Sequence, residues 1–318
     1  MTPSNLAILL NLVCHFSCKE SEKQNSARPF LCLCLVAQII SGLTVAQDVK
    51  ERVKKAVEEL KTSGIIPCLA TVLVGDDPAS ATYVNSKQKT AKELGIATRD
   101  HRLAATFKQH ELLELVQLLN NDPEVHGILV QLPLPKHIDE FAIINTISPL
   151  KDVDGLTPYS AGMLQNGMAL LKPCTPSGVM ELLDYYKIAL EGKDVVIINR
   201  SNLVGKPLVF MLLERNATVT VCHSKTRDLP ARLRQADIII TAVGNRERFT
   251  LKADMVKEGA VVIDVATSRI NGKLAGDADF EAVKQKASWI TPVPGGVGPM
   301  TIAMLMKNTV TAASILRG

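Results

Sequence analysis

The sequence lacks an apolar run long enough to cross a bilayer. Its early apolar runs, residues 6–13 and 30–40, hold about ten residues each, whereas a spanning helix needs roughly twenty. The basic region of a secretory signal peptide is also missing, because no Lys or Arg precedes Leu6 and the first basic residue is Lys19. The sequence therefore predicts neither membrane association nor secretion, and we expect a cytoplasmic protein.

The sequence also lacks a basic stripe and a metal-binding cysteine pattern. Its formal net charge of +4 is small for 318 residues and charges of both signs are interspersed, so nucleic acid is not an expected partner. Cysteines near the start have C-x3-C and C-x-C spacings, which differ from the paired C-x2-C of a zinc ribbon. Cys68, Cys174 and Cys222 stand alone, as reduced cytosolic thiols do. We predict no metal site and a small-molecule partner.

What the sequence has is a regular alternation of helical and strand patterns after residue 40. A length of 318 residues suits about two domains, and 47% hydrophobic content suffices for buried cores. Helical patterns cover 45–60, 80–94 and 110–119, and strand patterns cover 69–74, 127–131, 194–199, 218–222, 237–242 and 260–265. This order predicts two α/β domains, the second with a doubly wound parallel sheet. Residues 1–38 differ in composition and are expected to be a disordered extension or a mis-assigned start.

The turn after the predicted strand at 194–199 has features of a dinucleotide site, although it lacks the G-x-G-x-x-G motif. Gly205 permits close backbone approach to a pyrophosphate, and Pro207 suits the first turn of a helix whose amides would face it. The next predicted strand is followed by His-Ser-Lys, with no carboxylate for a ribose 2′-hydroxyl. Arg200 and Ser224, together with His223 or Lys225, could instead hold a 2′-phosphate, which predicts NADP in preference to NAD. The alternative for Arg200 is a solvated surface arginine.

Polar groups suited to proton transfer lie in the first half of the chain. Tyr83 and Lys87 are four residues apart on a predicted helix and therefore share one face. Gln131 ends a predicted strand just before Pro133, and Asp154 lies in a polar turn; ligands of α/β sheets bind at such strand ends. Lys87 could pass protons, with Gln131 orienting it. The alternatives are a chance Tyr/Lys pair on the surface and, for Asp154, a turn-forming residue.

Residues 292–301 read Pro-Val-Pro-Gly-Gly-Val-Gly-Pro-Met-Thr and cannot form an ordinary helix or a central strand. Their glycines let the main chain contact a flat ligand, and their prolines stiffen the loop before binding. The loop therefore suits a planar ring. The alternative is a rigid turn that leads into a helix after Thr301.

Six segments, in this order, resemble motifs of the bifunctional methylenetetrahydrofolate dehydrogenase/methenyltetrahydrofolate cyclohydrolase family. They are Tyr-Val-Asn-Ser-Lys at 83–87, Val-Gln-Leu-Pro-Leu-Pro at 130–135, Lys-Asp-Val-Asp-Gly at 151–155, Pro-Cys-Thr-Pro-Ser-Gly at 173–178, Arg-Ser and Val-Gly within 200–205, and the loop at 292–301. The resemblance starts at about residue 39. It implies an N-terminal α/β folate-binding catalytic domain at 39–170, completed by a helix at 300–318, and a Rossmann-like NADP domain at 171–299.

The resemblance also implies roles for individual residues. Lys87 would be the catalytic base and Gln131 would tune it. Tyr83 would pack on the folate, and Asp154 would bind the pterin. The residues matched to substrate binding are Tyr83, Asp154, Pro294 and Gly295, and those matched to NADP are Thr175, Arg200, Ser201, Ser224, Ala266 and Thr301.

The implied activity belongs to one-carbon folate metabolism, which feeds purine biosynthesis. A homodimer would oxidise 5,10-methylenetetrahydrofolate with NADP and hydrolyse the 5,10-methenyl product to 10-formyltetrahydrofolate. Asn199 and Ala266 replace glycines usual in the family, so we expect altered cofactor affinity but not its loss. In a short-chain-type dehydrogenase the Tyr-x3-Lys pair would follow the glycine-rich turn, whereas here it precedes that turn. A non-catalytic folate-binding regulatory protein becomes credible only without Lys87 or Gln131, and both are present.

Overall fold

Helices and strands alternate along residues 36–270 and 272–317, the part of the chain that the computed structural model describes. The first half contains β1 (Gln38–Ile39), α1 (Gly42–Thr62), β2 (Cys68–Val74), α2 (Pro78–Glu93), β3 (Ala97–Leu103), α3 (Gln109–Asn121), β4 (Gly127–Val130), α4 (Glu140–Thr146) and α5 (Pro158–Gln165). The second half contains α6 (Cys174–Tyr185), β5 (Asp194–Ile198), α7 (Gly205–Leu213), β6 (Thr218–Cys222), α8 (Leu229–Leu233), β7 (Ile238–Thr241), β8 (Val261–Asp264), β9 (Ser268–Ile270), β10 (Lys273–Ala275), α9 (Phe280–Lys284), β11 (Trp289–Ile290) and α10 (Val297–Ile315). Short 3₁₀ helices lie at Pro149–Lys151 and Ala253–Met255.

The first sheet is parallel and has the strand order β3-β2-β4. Every residue of β2 is buried, as expected for the central strand of a sheet on which helices pack. The edge strand β3 has the polar sequence Ala-Thr-Arg-Asp-His-Arg-Leu, and none of its residues is fully buried. The sequence predicts β2 and β4 but not β3, because an edge strand this polar has no apolar signature.

The second sheet is also parallel, with six strands in the order β1-β11-β8-β7-β5-β6. β7 and β8 are buried at every position. From β5 the chain proceeds to β6 on one side and then crosses to β7 on the other, so a crevice opens at the carboxyl ends of β5 and β7. This is the doubly wound arrangement that the sequence predicts.

Strand β1 precedes the first sheet in the chain but belongs to the second. Gln38 pairs with Trp289 and Ile39 with Ile290, and Ala37 is buried in the core of the second half. The predicted extension at 1–38 therefore overlaps the fold at residues 36–38. Its other residues, 1–35, lie outside the part that the structure describes.

Helix α10 connects the two halves by packing against both α1 and α6. Its residues are apolar on several faces, and most of the helix is buried. Gly178 on α6 allows close packing, because a Cβ there would lie 2.7 Å from the Cβ of Met300. Within the described ranges, no helix has both the length and the hydrophobicity of a membrane span.

Candidate active site

Lys87 lies beside Gln131 in the interior of the first half. Its side chain, on α2, is almost completely buried, and Nζ donates a hydrogen bond to Oε1 of Gln131 at 3.0 Å. The amide of Gln131 has a fixed orientation because its Nε2 donates to the carbonyl oxygen of Leu132 at 2.7 Å. Gln131 follows β4 directly, and its backbone N–H donates to the carbonyl of Val72 on β2. Gln131, at the end of β4, therefore places an uncharged hydrogen-bond acceptor next to the buried amine of Lys87.

Asp154 lines the same cavity as Lys87 and Gln131, which we call the Lys87 cavity and which has a volume of about 200 Å³. Burial raises the pKa of the Asp154 carboxyl, and the positive charge of Lys87 opposes that shift. The three side chains that the sequence places on separate elements therefore meet in one cavity.

The turn that carries Asp154 is organised by its neighbours. Asp152 accepts hydrogen bonds from the backbone N–H groups of Leu156 at 3.1 Å and Thr157 at 2.8 Å. Gly155 has φ of +67°, and a Cβ there would lie 2.7 Å from the backbone nitrogen of Pro173. The turn-forming role that was the alternative for Asp154 therefore belongs to Asp152. Asp154 instead lines the cavity.

Cys174 is a further residue of this cavity, which the sequence analysis had treated as an isolated cysteine. Its Sγ donates to the carbonyl of Val153 at 3.2 Å, and Nδ2 of Asn308 on α10 donates to the same carbonyl at 2.8 Å. Burial raises the pKa of the Cys174 thiol well above its usual value, and the nearby Asp154 carboxylate raises it further. Its position inside the Pro-Cys-Thr-Pro segment was the available signal.

Tyr83 lies in a second cavity of about 330 Å³, which we call the Tyr83 cavity. The same cavity is lined by Ala266, Pro294 and Gly295. Tyr83 is 47% exposed, one helical turn before the buried Lys87. The four-residue spacing thus puts the phenol in one cavity and the amine in the next, and both cavities are bordered by α2 and the beginning of α10.

The loop at 292–296 fits both interpretations of its sequence. Gly295 has φ of +99°, and its carbonyl accepts the N–H of Gly42 at 2.9 Å. A Cβ at Gly296 would lie 2.4 Å from the carbonyl oxygen of Pro292, so glycine is required there. The loop leads into α10, which begins at Val297 rather than after Thr301, and it also forms a wall of the Tyr83 cavity.

Asn199 organises the turn between β5 and α7. Its Oδ1 accepts the backbone N–H groups of Ser201 at 2.7 Å and Gly205 at 3.0 Å, and its Nδ2 donates to the carbonyl of Ala242 at 2.6 Å. A Cβ at Gly205 would lie 2.2 Å from the carbonyl oxygen of Asn199, so the turn closes only with glycine. The added bulk at Asn199 is therefore used for hydrogen bonds within the turn.

Arg200 and Ser224 follow the ends of neighbouring strands. Ile198 of β5 pairs with Cys222 of β6, so both polar residues lie two positions beyond a paired residue, and both are exposed. The Ser201 hydroxyl accepts the N–H of Val204 at 3.1 Å within the same turn. Among the described residues, no group of three His, Cys, Asp or Glu side chains is arranged to hold a metal ion.

Thr175 and Thr301 meet where α6 and α10 begin. Their hydroxyl oxygens are 2.9 Å apart, and both residues line the Lys87 cavity. Ala266 instead lines the Tyr83 cavity and is buried. The residues matched to NADP are therefore distributed over the crevice of the second sheet and both cavities.

Two sequence models of one family match the chain. The catalytic domain of tetrahydrofolate dehydrogenase/cyclohydrolase matches residues 40–154, and the NAD(P)-binding domain of the same family matches residues 173–317. The chain belongs to this family. A relative of this tetrahydrofolate dehydrogenase/cyclohydrolase, the bifunctional protein FolD of Nitrosopumilus maritimus, is 64% identical over 276 residues, which cover 87% of this chain and 96% of the relative.

Solved structures agree with this assignment to the tetrahydrofolate dehydrogenase/cyclohydrolase family. The bifunctional FolD enzyme of Campylobacter jejuni is 52% identical with a TM-score of 0.85, and the match covers 88% of this chain and 99% of that one. The Trypanosoma brucei enzyme, solved with NADP and an inhibitor, is 38% identical with a TM-score of 0.83 and coverage of 88% and 98%. The predicted family and the two-part α/β fold are confirmed.

Proposed function

We propose that this enzyme oxidises 5,10-methylenetetrahydrofolate with NADP and hydrolyses the resulting 5,10-methenyltetrahydrofolate to 10-formyltetrahydrofolate. The observation that carries the proposal is the buried amine of Lys87, held 3.0 Å from Gln131 beside Asp154. A buried, oriented amine next to a cavity with a planar main-chain wall suits proton transfer to a flat heterocycle. The relatives named above, described as bifunctional, support both activities.

The folate would occupy the two adjoining cavities. Tyr83 and the main chain of Pro294 and Gly295 offer flat surfaces to the pterin and its neighbouring ring. Asp154 has a carboxyl whose pKa is raised by burial, and it would hydrogen-bond the polar edge of the pterin. These contacts would orient the one-carbon bridge towards Lys87.

In the hydrolytic step Lys87 would move the protons. Water adds to the methenyl carbon, and one of its protons passes to the amine of Lys87. The bond between that carbon and N5 of the folate then breaks as the remaining hydroxyl proton is lost to form the formyl C=O and N5 takes up one proton. One proton in total leaves from Lys87 to solvent, which restores the amine and gives the 10-formyl product. Gln131 accepts a hydrogen bond from Lys87 throughout and adds no charge.

The second half of the chain fits NADP, which supplies the hydride acceptor when bound. The crevice at the ends of β5 and β7 lies at the switch point of the sheet, where dinucleotides bind in such folds. Arg200 and Ser224 would hold the 2′-phosphate, since residues 223–225 provide no carboxylate for a free 2′-hydroxyl. Ser201 and the Thr175–Thr301 pair would contact the rest of the cofactor.

The test is a pair of assays on the purified protein. Reduction of NADP and NAD is followed in parallel with methylenetetrahydrofolate, and consumption of methenyltetrahydrofolate is followed without cofactor. We expect both reactions, with NADP preferred. Folate binding without either reaction would favour the non-catalytic alternative. We also infer a cytoplasmic homodimer, as the family resemblance implies, and light scattering that gives the mass of one chain would contradict the dimer.

A further inference from the structure

Two buried carboxylates take no part in the proposed chemistry: Asp264, which lines the Tyr83 cavity, and Asp277, which lines neither cavity. Asp264 ends β8, Asp277 follows β10, and their residues are 3% and 0% exposed. The antiparallel hairpin of β9 and β10 connects them. Buried carboxylates are costly unless their oxygens are hydrogen-bonded, so the partners of this pair show what it holds in place.

Asp264 connects three segments around the cavity. Its Oδ1 accepts the backbone N–H of Ala266 at 3.1 Å, and its Oδ2 accepts that of Ala278 at 2.8 Å. Its own N–H donates to Oγ1 of Thr291 at 2.7 Å, directly before the loop at 292–296. The end of β8, the hairpin and the loop are therefore held by one residue.

Asp277 holds the segment after β7 in place through hydrogen bonds to its carboxylate. Its Oδ2 accepts hydrogen bonds from Oγ1 of Thr241 at 2.6 Å and from the N–H of Val243 at 2.7 Å. Its Oδ1 accepts the N–H of Gly244 at 3.0 Å. This segment borders the cofactor crevice, and its residue Ala242 also accepts the hydrogen bond from Asn199 across the crevice.

The hairpin is shaped to reach these carboxylates. A Cβ at Gly276 would lie 2.1 Å from Oδ2 of Asp264, so only glycine lets the chain approach this closely. Each oxygen of both carboxylates accepts a backbone N–H. The donors to Asp264 come from two different segments, and the two donors to Asp277 are neighbours in the segment after β7.

We propose that Asp264 and Asp277 are positioning residues for the dehydrogenase step, because they hold the main chain after β7 and β8 at the edge of the crevice in which NADP would bind. The inference rests on the proposed function, which puts NADP in the crevice at the carboxyl ends of β5 and β7. Asp277 and Thr241 line neither of the two cavities. Changes at these two residues should therefore act on cofactor affinity and leave the hydrolysis of methenyltetrahydrofolate intact.

The experiment compares Asp277→Asn and Thr241→Val in the full chain. The carboxamide keeps the shape of Asp277 but loses acceptors, and valine removes the hydroxyl donor alone. For both variants we expect the KM for NADP, and the Kd for NADP from calorimetry, to rise about tenfold, the effect of losing roughly one hydrogen bond to a charged group. The kcat for cyclohydrolase and the KM for the folate should stay within about twofold of wild type, on the scale of near-neutral substitutions.

Thr241→Ser retains the hydroxyl and should restore NADP affinity. Folded variants with wild-type NADP affinity, or variants that lose both activities in parallel, would overturn the proposal and make the cluster purely structural. If Asp277→Asn does not fold, Thr241→Val decides the question. A wild-type protein that fails to reduce NADP would refute the proposed function instead, so the two failures are distinguishable.

Discussion

Replacing Lys87 with methionine removes the amine on which the proposed hydrolysis depends while it retains an unbranched side chain. The interaction lost is the 3.0 Å hydrogen bond to Oε1 of Gln131. General acid–base catalysis contributes about 10²- to 10⁴-fold, so the cyclohydrolase kcat should fall by about 10² or more. Stability should change by no more than about 1 to 2 kcal/mol, because the lost hydrogen bond is partly offset by removal of a buried polar group.

The assay follows the disappearance of methenyltetrahydrofolate in a buffer of fixed pH, with the uncatalysed rate subtracted. Lys89→Met is the matched control, since Lys89 lies on the same helix with its side chain 80% exposed. It should hydrolyse the substrate at the wild-type rate. A Lys87→Met protein with native thermal unfolding and undiminished hydrolysis would refute the role of Lys87.

Three further predictions test the cofactor site, the fold and its pH dependence. Ser224→Asp should place an anion against the 2′-phosphate and lower kcat/KM for NADP relative to NAD by roughly thirtyfold, or about 2 kcal/mol. The rate of methenyltetrahydrofolate hydrolysis should not change. An unaltered ratio of kcat/KM for the two cofactors would mean that the 2′-phosphate binds elsewhere. Lys151→Met should lower the free energy of unfolding by about 2 to 4 kcal/mol, because the buried Nζ of Lys151 donates to the carbonyls of Leu119 at 3.1 Å and Asp122 at 2.7 Å at the end of α3. Lys54→Met, which changes an exposed lysine, is the control. Equal stability of the two variants in chemical unfolding would contradict this role of Lys151. Burial raises the pKa of Asp264 to about 6, with the nearby Asp277 charge contributing, so the folded state holds this proton more tightly than the unfolded state. Between about pH 4 and pH 6 this group should therefore lower the stability of the wild type as pH rises, and the stability of Asp264→Asn relative to wild type should increase by about 3 kcal/mol over that window; a pH-independent difference would show that Asp264 titrates normally.

The architecture was predictable where burial leaves a strong pattern in the sequence. The apolar strands β2, β7 and β8 and the amphipathic helix α1 are the clearest cases. Strand β3 was missed because its exposed edge position permits polar residues. Strand β1 was missed because two residues are too few to show a period.

The sequence predicts which side chains lie near the candidate site, but not how they are distributed between the two cavities. The spacing of Tyr83 and Lys87 gives a shared helix face, yet only packing decides that one is half exposed and the other buried. Asp264 and Asp277 are 13 positions apart, and no local pattern connects them before the hairpin closes. Cys174 became part of the site only when α6 was placed against the turn of Asp154. Such tertiary proximity is not encoded in short-range periodicity.

β1 and α10 each pack against elements that are distant in the chain, which has a consequence for folding during synthesis. β1 is synthesised before the first sheet but is an edge strand of the six-stranded second sheet, whereas α10 is synthesised after every strand of both sheets but packs on α1 and α6. On the ribosome, therefore, neither half has all its packing partners until the last helix has emerged. A nascent chain stalled before α10 would lack the helix that packs on both α1 and α6, so we expect activity only late in translation.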